Sequence, residues 1–410
     1  MKGASSWLDI RPLNTSPTFR RLWIGTSLQS LGRQITVVAV LYQVWEVTGS
    51  SFWVGFVGLV YAVPTIVLTL VGGSLADVVD RKKLILWTTC GALFASVLLA
   101  LQAASNLGSL LLLMGLVCLQ TAFTSLGSPA RRTVVTRILP QDQVGAGIAL
   151  SHISFQASML IGPALAGLLI AWAGLTACYV IEALCFGAAL YGIAGLPPLR
   201  PIDQLGKAGL PAIIDGMRFI RRNPPLSGSF LSDLAATLLA MPIALFPAMN
   251  EDRFAGNPET LGLFLSAIAV GGIGASALSR LITTHRRPGI IQLGAAAAWG
   301  VALAAVGLVD GLLPTLLFLA AAGAADTIAV ISRGTLLQLA APDNYRGRVS
   351  AVENVVGIGG PELGNFRAGI VASIASPAVS LTSGGILCVV AIATIAARNK
   401  PLMRYRINTT

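Results

Sequence analysis

The chain has 410 residues, of which 55% are hydrophobic and 11% charged, with a formal net charge of +11; soluble domains carry about 25% charged residues. A mean hydropathy of +0.77 excludes an ordinary water-soluble domain and places the chain in a membrane class. The positive charge does not argue for nucleic acid, because it is divided among short segments beside apolar runs, where topology and anionic headgroups account for it.

Twenty-five of the 28 Lys and Arg residues fall in seven clusters, at 2–21, 81–83, 131–137, 200–222, 280–287, 333–348 and 398–406. Every second gap between apolar stretches is nearly free of them. Cytoplasmic loops retain Lys and Arg because these residues resist translocation. The pattern therefore predicts twelve spans with both termini cytoplasmic; only Arg33, Arg253 and Arg367 fall outside it. A spanning helix needs about 20 apolar residues. Such windows lie near 22–45, 53–76, 84–104, 108–127, 144–173 and 175–196 in the first half, and near 226–249, 260–279, 288–309, 311–332, 350–374 and 377–397 in the second. The first begins near Leu22 without a small-residue cleavage site after it, and reads as a retained helix.

Span one carries Arg33 together with Gln29, Gln34 and Gln43, while Trp45, Trp53 and Tyr61 are placed as belt residues. Between spans two and three lies Gly73-Ser-Leu-Ala-Asp77-Val-Val-Asp80-Arg81-Lys82. Gly73 is expected to let two helices approach closely near the cytoplasmic face, Asp77 to accept from free amides at a neighbouring helix N-terminus, and Arg81 to pair with a carboxylate. Such contacts form only with the cytoplasmic ends together, and so favour an outward-open state. Span five contains Ser158, Gly162-Pro163, Ala166 and Gly167, small residues that permit a close crossing around a bend.

Residues 197–225 open with Pro197, Pro198 and Pro201 and form a linker between halves at 1–196 and 226–410. Its later part places Leu210, Ile213, Ile214, Met217 and Ile220 on one helical face. This is either an amphipathic helix in the cytoplasmic interface or a short helix packed on the bundle.

Charges at mid-bilayer cost about 2.5–3.5 kcal/mol on the insertion scale and are placed towards a cavity or a partner. The candidates are Arg33, Glu182, Asp233 in span seven, Asp326 in span ten, and Glu353, Glu362 and Arg367 in span eleven. Glu362 lies in the glycine-broken stretch 357–369, where freed backbone groups need protein or water, and is assigned first to packing and second to gating. It is a poor intrahelical partner for Arg367, five residues on.

The halves look duplicated. Arg131, Thr133 and Pro140 recur 202 residues later as Arg333, Thr335 and Pro342, and Gly162-Pro163 recurs as Gly360-Pro361. The fold class is thus all-α membrane protein, twelve helices as two pseudo-symmetric six-helix bundles, a plan in which substrate binds at the midplane between halves. The loop at Gly73–Lys82 resembles the signature of the major facilitator superfamily. The run from Leu75 to Lys83, with Gly32–Val40, Leu231–Leu234, Pro342-Asp343 with Arg346-Gly347-Arg348, and Gly359–Gly364, resembles the branch that contains the enterobactin exporter and related drug exporters. The Gly162-Pro163 segment is similar to the superfamily's antiporter motif, with Ser158 and Ala166 in place of glycines.

The resemblance implies that spans one, four, seven and ten line a cavity, which favours Arg33, Asp233 and Asp326. Asp233 and Asp326 are the carboxylates expected to exchange a proton, and Arg33 suits an anionic cargo. A fixed ion pair or packing contact is the alternative for each. The expected function is proton-coupled export of a siderophore or amphipathic drug-like molecule by alternating access. The alternatives are import of a small metabolite or organic anion, and a transport-dead scaffold or sensor.

Enzyme chemistry is not indicated. There are two histidines, His152 and His285, no phosphate-binding loop and no nucleophile elbow. Five cysteines lie in apolar runs without metal-ligand spacing. No metal or cofactor is expected, the proton gradient being the energy source. The expected partners are a small-molecule substrate, protons and membrane lipids, with the chain acting as a monomer.

Overall fold

The computed structural model describes residues 9–200, 210–283 and 285–406, and among these the chain is helix and turn without a strand. A short α1 (Arg11–Thr15) precedes α2 (Pro17–Thr48), α3 (Ser51–Ala76), α4 (Arg81–Ala104), α5 (Leu110–Arg132), a one-turn α6 (Val134–Ile138) and the long α7 (Gln141–Ala194). The linker helix α8 (Leu210–Arg222) leads to α9 (Pro224–Leu239), α10 (Phe246–Phe254), α11 (Pro258–Ala277) and α12 (Ser279–Thr283). Then follow α13 (Pro288–Leu308), α14 (Leu312–Ala340), α15 (Asp343–Ile374), α16 (Pro377–Arg398) and α17 (Lys400–Arg404).

The helix starts have local causes. Asp80 and Ser376 cap α4 and α16 by accepting from Lys82 N and Val379 N, and α11, α13 and α16 open with Pro, whose missing N–H costs nothing there. At 54 residues, α7 would be about 80 Å long if straight, far more than a bilayer. Gly174, at φ 76° and ψ 174°, divides it into spans five and six. It is the single residue left between the two predicted windows, and only glycine takes that conformation without strain.

Nine helical segments among the described residues, with α5–α6 and α9–α10 each counted as one, are long and apolar enough to cross a membrane. With α7 counted as two, and with the more charged α2 and α15, they make the twelve expected spans. Side chains on the outside of the bundle are apolar, with Leu111, Trp172 and Ile374 more than 80% exposed, as lipid-facing residues are.

Span seven departs from expectation. The window 226–249 is not one helix: α9 ends at Leu239, a 3-10 turn follows at Ile243–Leu245, and α10 resumes at Phe246. Pro242 lacks the N–H that a continuing helix would use. Conversely, the stretch 357–369, expected to be broken, lies inside the unbroken α15, because its glycines serve packing: Cβ atoms on Gly360 and Gly364 would collide with Thr237 of α9.

The chain forms two compact units. The first comprises Met1–Ala39 and Val67–Gly206 and the second Val40–Ile66 and Lys207–Thr410. The first has a core of Leu22, Leu84, Ile85, Ala130 and Ile193, and Gly25 of α2 lies against the Ala188 carbonyl of α7. In the second, Gly271 of α11 and Gly323 of α14 each face the other helix's backbone, so a methyl at either would force the helices apart. The linker helix packs on the bundle: Ile220 is buried with Leu226, Phe230 and Val352, Phe219 stacks on Tyr345 at 4.3 Å, and Asp215 pairs with Arg348. Ile214 and Met217, from the same predicted face, are exposed.

Candidate transport site

In the second unit, three helices bring charges together. Arg333 lies on α14, buried to 7% exposure; its Nη1 pairs with Asp233 Oδ1 of α9, and its Nε lies 3.6 Å from Glu353 Oε1 of α15. Two carboxylates around one guanidinium are what a desolvated arginine requires. Asp326 is seven residues before Arg333, two turns up the same face of α14. It is exposed, forms no ion pair among the described residues, and has Asp233 and Arg333 as its charged neighbours.

The rotation of α9 is fixed from behind. Ser229 Oγ donates to Gln292 Oε1 of α13 at 2.7 Å, while Gln292 Nε2 donates to Ser229 O at 3.0 Å and Ser232 Oγ at 2.9 Å. All three side chains are buried. With Ser229 and Ser232 held against α13, the next residue, Asp233, is turned towards α14. Arg333 was not among the sequence candidates, since it counts in a basic loop cluster. The helix runs on to Ala340, eight residues past the predicted window, and draws it inside.

The first unit holds a different set. Arg33 of α2 is exposed. Glu182 of α7 is 1% exposed and accepts from Ser96 Oγ at 2.7 Å and Gln120 Nε2 at 2.9 Å, with Arg33 as the neighbouring charge. Arg131 sits in the last turn of α5, not in a loop, and donates to Gln29 Oε1 at 3.0 Å and Thr89 Oγ1 at 2.8 Å.

The loop motif differs in detail from expectation. A Cβ on Gly73 would meet no described atom within 4 Å; the close approach is made one residue earlier, where Gly72 faces the Leu126 carbonyl of α5. Asp77 lies 4.0 Å from Arg81 and is 55% exposed, whereas the amides are taken by Asp80, from Lys82 N at 2.8 Å and Leu199 N at 3.2 Å. Asp80 immediately precedes the helix, the N-cap position, and Asp77 is too far back to reach those amides. Arg81 donates to Ala76 O at 3.2 Å and Thr133 Oγ1 at 3.1 Å, tying the end of α3 to the end of α5.

In span five, a Cβ on Gly162 would stand 2.5 Å from Gln34 Cβ, and Ser158 Oγ lies 3.5 Å from Ser27 O, so α2 and α7 cross closely here. Pro163 and Gly167 are buried in the same helix.

Glu362 sits at a crossing of α15 with α3: a Cβ on Gly58 would stand 2.5 Å from its carbonyl, and Asn365 Nδ2 lies 3.4 Å from its Oε2. Asn365 Oδ1 also accepts from Ala244 N at 3.2 Å, and Arg367 donates to Leu239 O at 2.8 Å. These two side chains satisfy backbone groups freed by the break in span seven, as a helix interrupted at membrane depth needs. The break is betrayed in the sequence only by Met241-Pro242.

Twelve spans, close small-residue crossings and buried charges held between helices define a membrane transporter, not an enzyme. Residues 6–406 match the family described as transmembrane secretion effector, within the major facilitator superfamily, and the chain belongs to that family. It is 26% identical over 383 residues to the enterobactin exporter EntS of Shigella boydii and to that of Escherichia coli O81, covering 93% of this chain and 91% of each relative. A POT family transporter solved with 5-aminolevulinic acid superposes with a TM-score of 0.75 at 11% identity, covering 95% of this chain and 97% of that one. A bacterial homologue of the iron transporter ferroportin, in an inward-facing state, gives 0.71 at 17% identity, with 93% and 99% covered. These likenesses show the fold; the protein is a multi-pass transporter whose substrate is a small molecule.

Proposed function

We propose that the protein is a proton-coupled exporter of the bacterial inner membrane, moving a siderophore or an amphipathic drug-like molecule outward, with both termini cytoplasmic. The observation that carries the coupling is the α14 face on which Asp326 stands unpaired beside an arginine already held by Asp233 and Glu353. A proton on Asp326 removes a negative charge that competes for Arg333. Loss of that proton restores the competition and loosens Arg333 from α9 and α15, so the protonation state biases how these helices pack. Asp233 follows as the second exchanging carboxylate when its arginine is drawn away. Export of a siderophore is supported by the relatives named as enterobactin exporters. The exposed Arg33 would meet the anionic groups of such a cargo.

Flux in proteoliposomes under an imposed pH gradient, with a catecholate siderophore and a lipophilic dye as cargoes, tests this. Wild type is expected to move at least one of them outward in proportion to the gradient. D326N is expected to lose most of the gradient-driven flux, and R33Q to lose flux of the anionic cargo alone. Gradient-driven flux equal in wild type, D326N and D233N would remove the coupling assignment. Inward movement of a small organic anion would instead establish import, and absence of any flux would leave a scaffold or sensor.

A further inference from the structure

A cavity of about 340 Å³ in the second unit is untouched by the transport reading. Its walls include Tyr42, Trp45 and Glu46 from α2 and Asn250, Glu251 and Gly256 from α10 and the turn after it. Glu46 and Glu251 are exposed and converge with Tyr42 on the same cavity. Neither carboxylate has an ion-pair partner among the described residues. The nearest arginine in sequence, Arg253, is occupied: it donates to Val306 O at 2.9 Å and Gly307 O at 2.8 Å, at the C-terminus of α13, and lies 3.9 Å from Asp310.

Asn250 adds an independent sign. It is 2% exposed, lines the cavity, donates Nδ2 to Asn257 O at 2.9 Å, and leaves Oδ1 with no partner. A buried unsatisfied acceptor is uncommon and costly, and it marks a place where a donor is missing. Gly256, with φ 69°, closes the end of α10 by donating to Asn250 O, and a Cβ there would strike the Glu251 carboxylate.

We propose that this cavity binds an organic monocation, a protonated primary or secondary amine, whose N–H groups can meet the carboxylates and the Asn250 oxygen. Two uncompensated carboxylates select positive charge, and Trp45 and Tyr42 in the same walls can add cation–π attraction to an alkylammonium. The volume lies at the lower end of small-molecule pockets, roughly 300–1,000 Å³. A calcium ion is held by oxygen ligands alone and draws nothing from Trp45, whereas an organic cation can use both the carboxylates and the aromatic wall. This site shares no residue with the Asp233–Arg333–Asp326 group and stands whether or not the transport reading holds.

The test is equilibrium titration of the purified protein in nanodiscs of zwitterionic lipid with n-butylammonium and benzylammonium. Calcium is titrated as a comparison, and thermal melts check each variant's fold. Saturable one-to-one binding of an ammonium, tighter than about 1 mM, is expected in wild type. E46Q combined with E251Q is expected to weaken it at least tenfold, and W45L severalfold. Absence of saturable ammonium binding to wild type overturns the proposal irrespective of the variants. So does calcium binding in place of the ammonium, and so does ammonium binding that falls in D326N but not in E46Q with E251Q, which would put the cation at the transport site.

Discussion

Arg131 and Arg333 stand at the same place in a duplicated sequence, 202 residues apart at the ends of spans four and ten, yet they meet different chemistry. Arg131 finds an amide oxygen and a hydroxyl, Gln29 and Thr89; Arg333 finds two carboxylates, Asp233 and Glu353. Duplication preserved the arginine, and divergence placed the ion pairs on one side only. A neutral cradle has no charge to exchange, whereas an arginine shared among carboxylates can be redistributed by one proton. The second unit is therefore where protonation should be felt.

The largest effect that sharpens this contrast is removal of the arginines. R333A leaves Asp233 and Glu353 without their cation and is expected to cost about 3–5 kcal/mol, the range for breaking a buried pair. R131A removes hydrogen bonds from a charged donor to neutral partners and should cost about 1.5–3 kcal/mol. Thermal melts of both variants in one detergent measure the difference, and equal losses would erase it. Next in size is N365A, which orphans Ala244 N in the span-seven break and should cost about 1–3 kcal/mol. Since α2, the corresponding span one, runs unbroken, it has no freed backbone amide for a side chain to satisfy in this way.

Within the loop before α4, two aspartates separate in the same way. Asp80 takes two backbone amides, so D80A is expected to lower stability by about 0.5–2 kcal/mol, as for other N-caps. Asp77 makes a 4.0 Å pair at an exposed position, and D77N should change stability by less than about 1 kcal/mol. If Asp77 has the conformational role that the motif implies, D77N will still depress flux. A melt and a flux assay on the same preparations distinguish cap from switch.

What was legible in the sequence follows from what each signal measures. Apolar length and basic clusters report the bilayer, so the spans were readable, down to Gly174 between windows five and six. Arg333 was hidden by the same rule, because counting basic residues as loop ignores a helix that continues past the apolar window. Gly72 and Gly73 are indistinguishable by composition, and only the helix rotation shows which one faces Leu126. The break at 240–245 was masked by continuous hydrophobicity, since hydropathy does not register where backbone hydrogen bonds stop. Asp233 and Asp326 could be singled out as costly charges, but their common neighbour could not.

The smallest expected effect tests whether the asymmetry is made by partners or by position. Q29E gives Arg131 a carboxylate at the atom that already accepts its Nη1 proton. The new pair gains Coulomb attraction but must desolvate an additional charge, and these terms nearly cancel for buried pairs. The net change should lie within about 1 kcal/mol of zero in a melt. Its functional reading is sharper: if one carboxylate beside the arginine suffices for coupling, Q29E combined with D326N should recover part of the gradient-driven flux that D326N alone loses. Failure to recover any would mean that the coupling depends on Asp326 standing two turns from Arg333 on α14, a relation that the first unit does not reproduce by changing Gln29 alone.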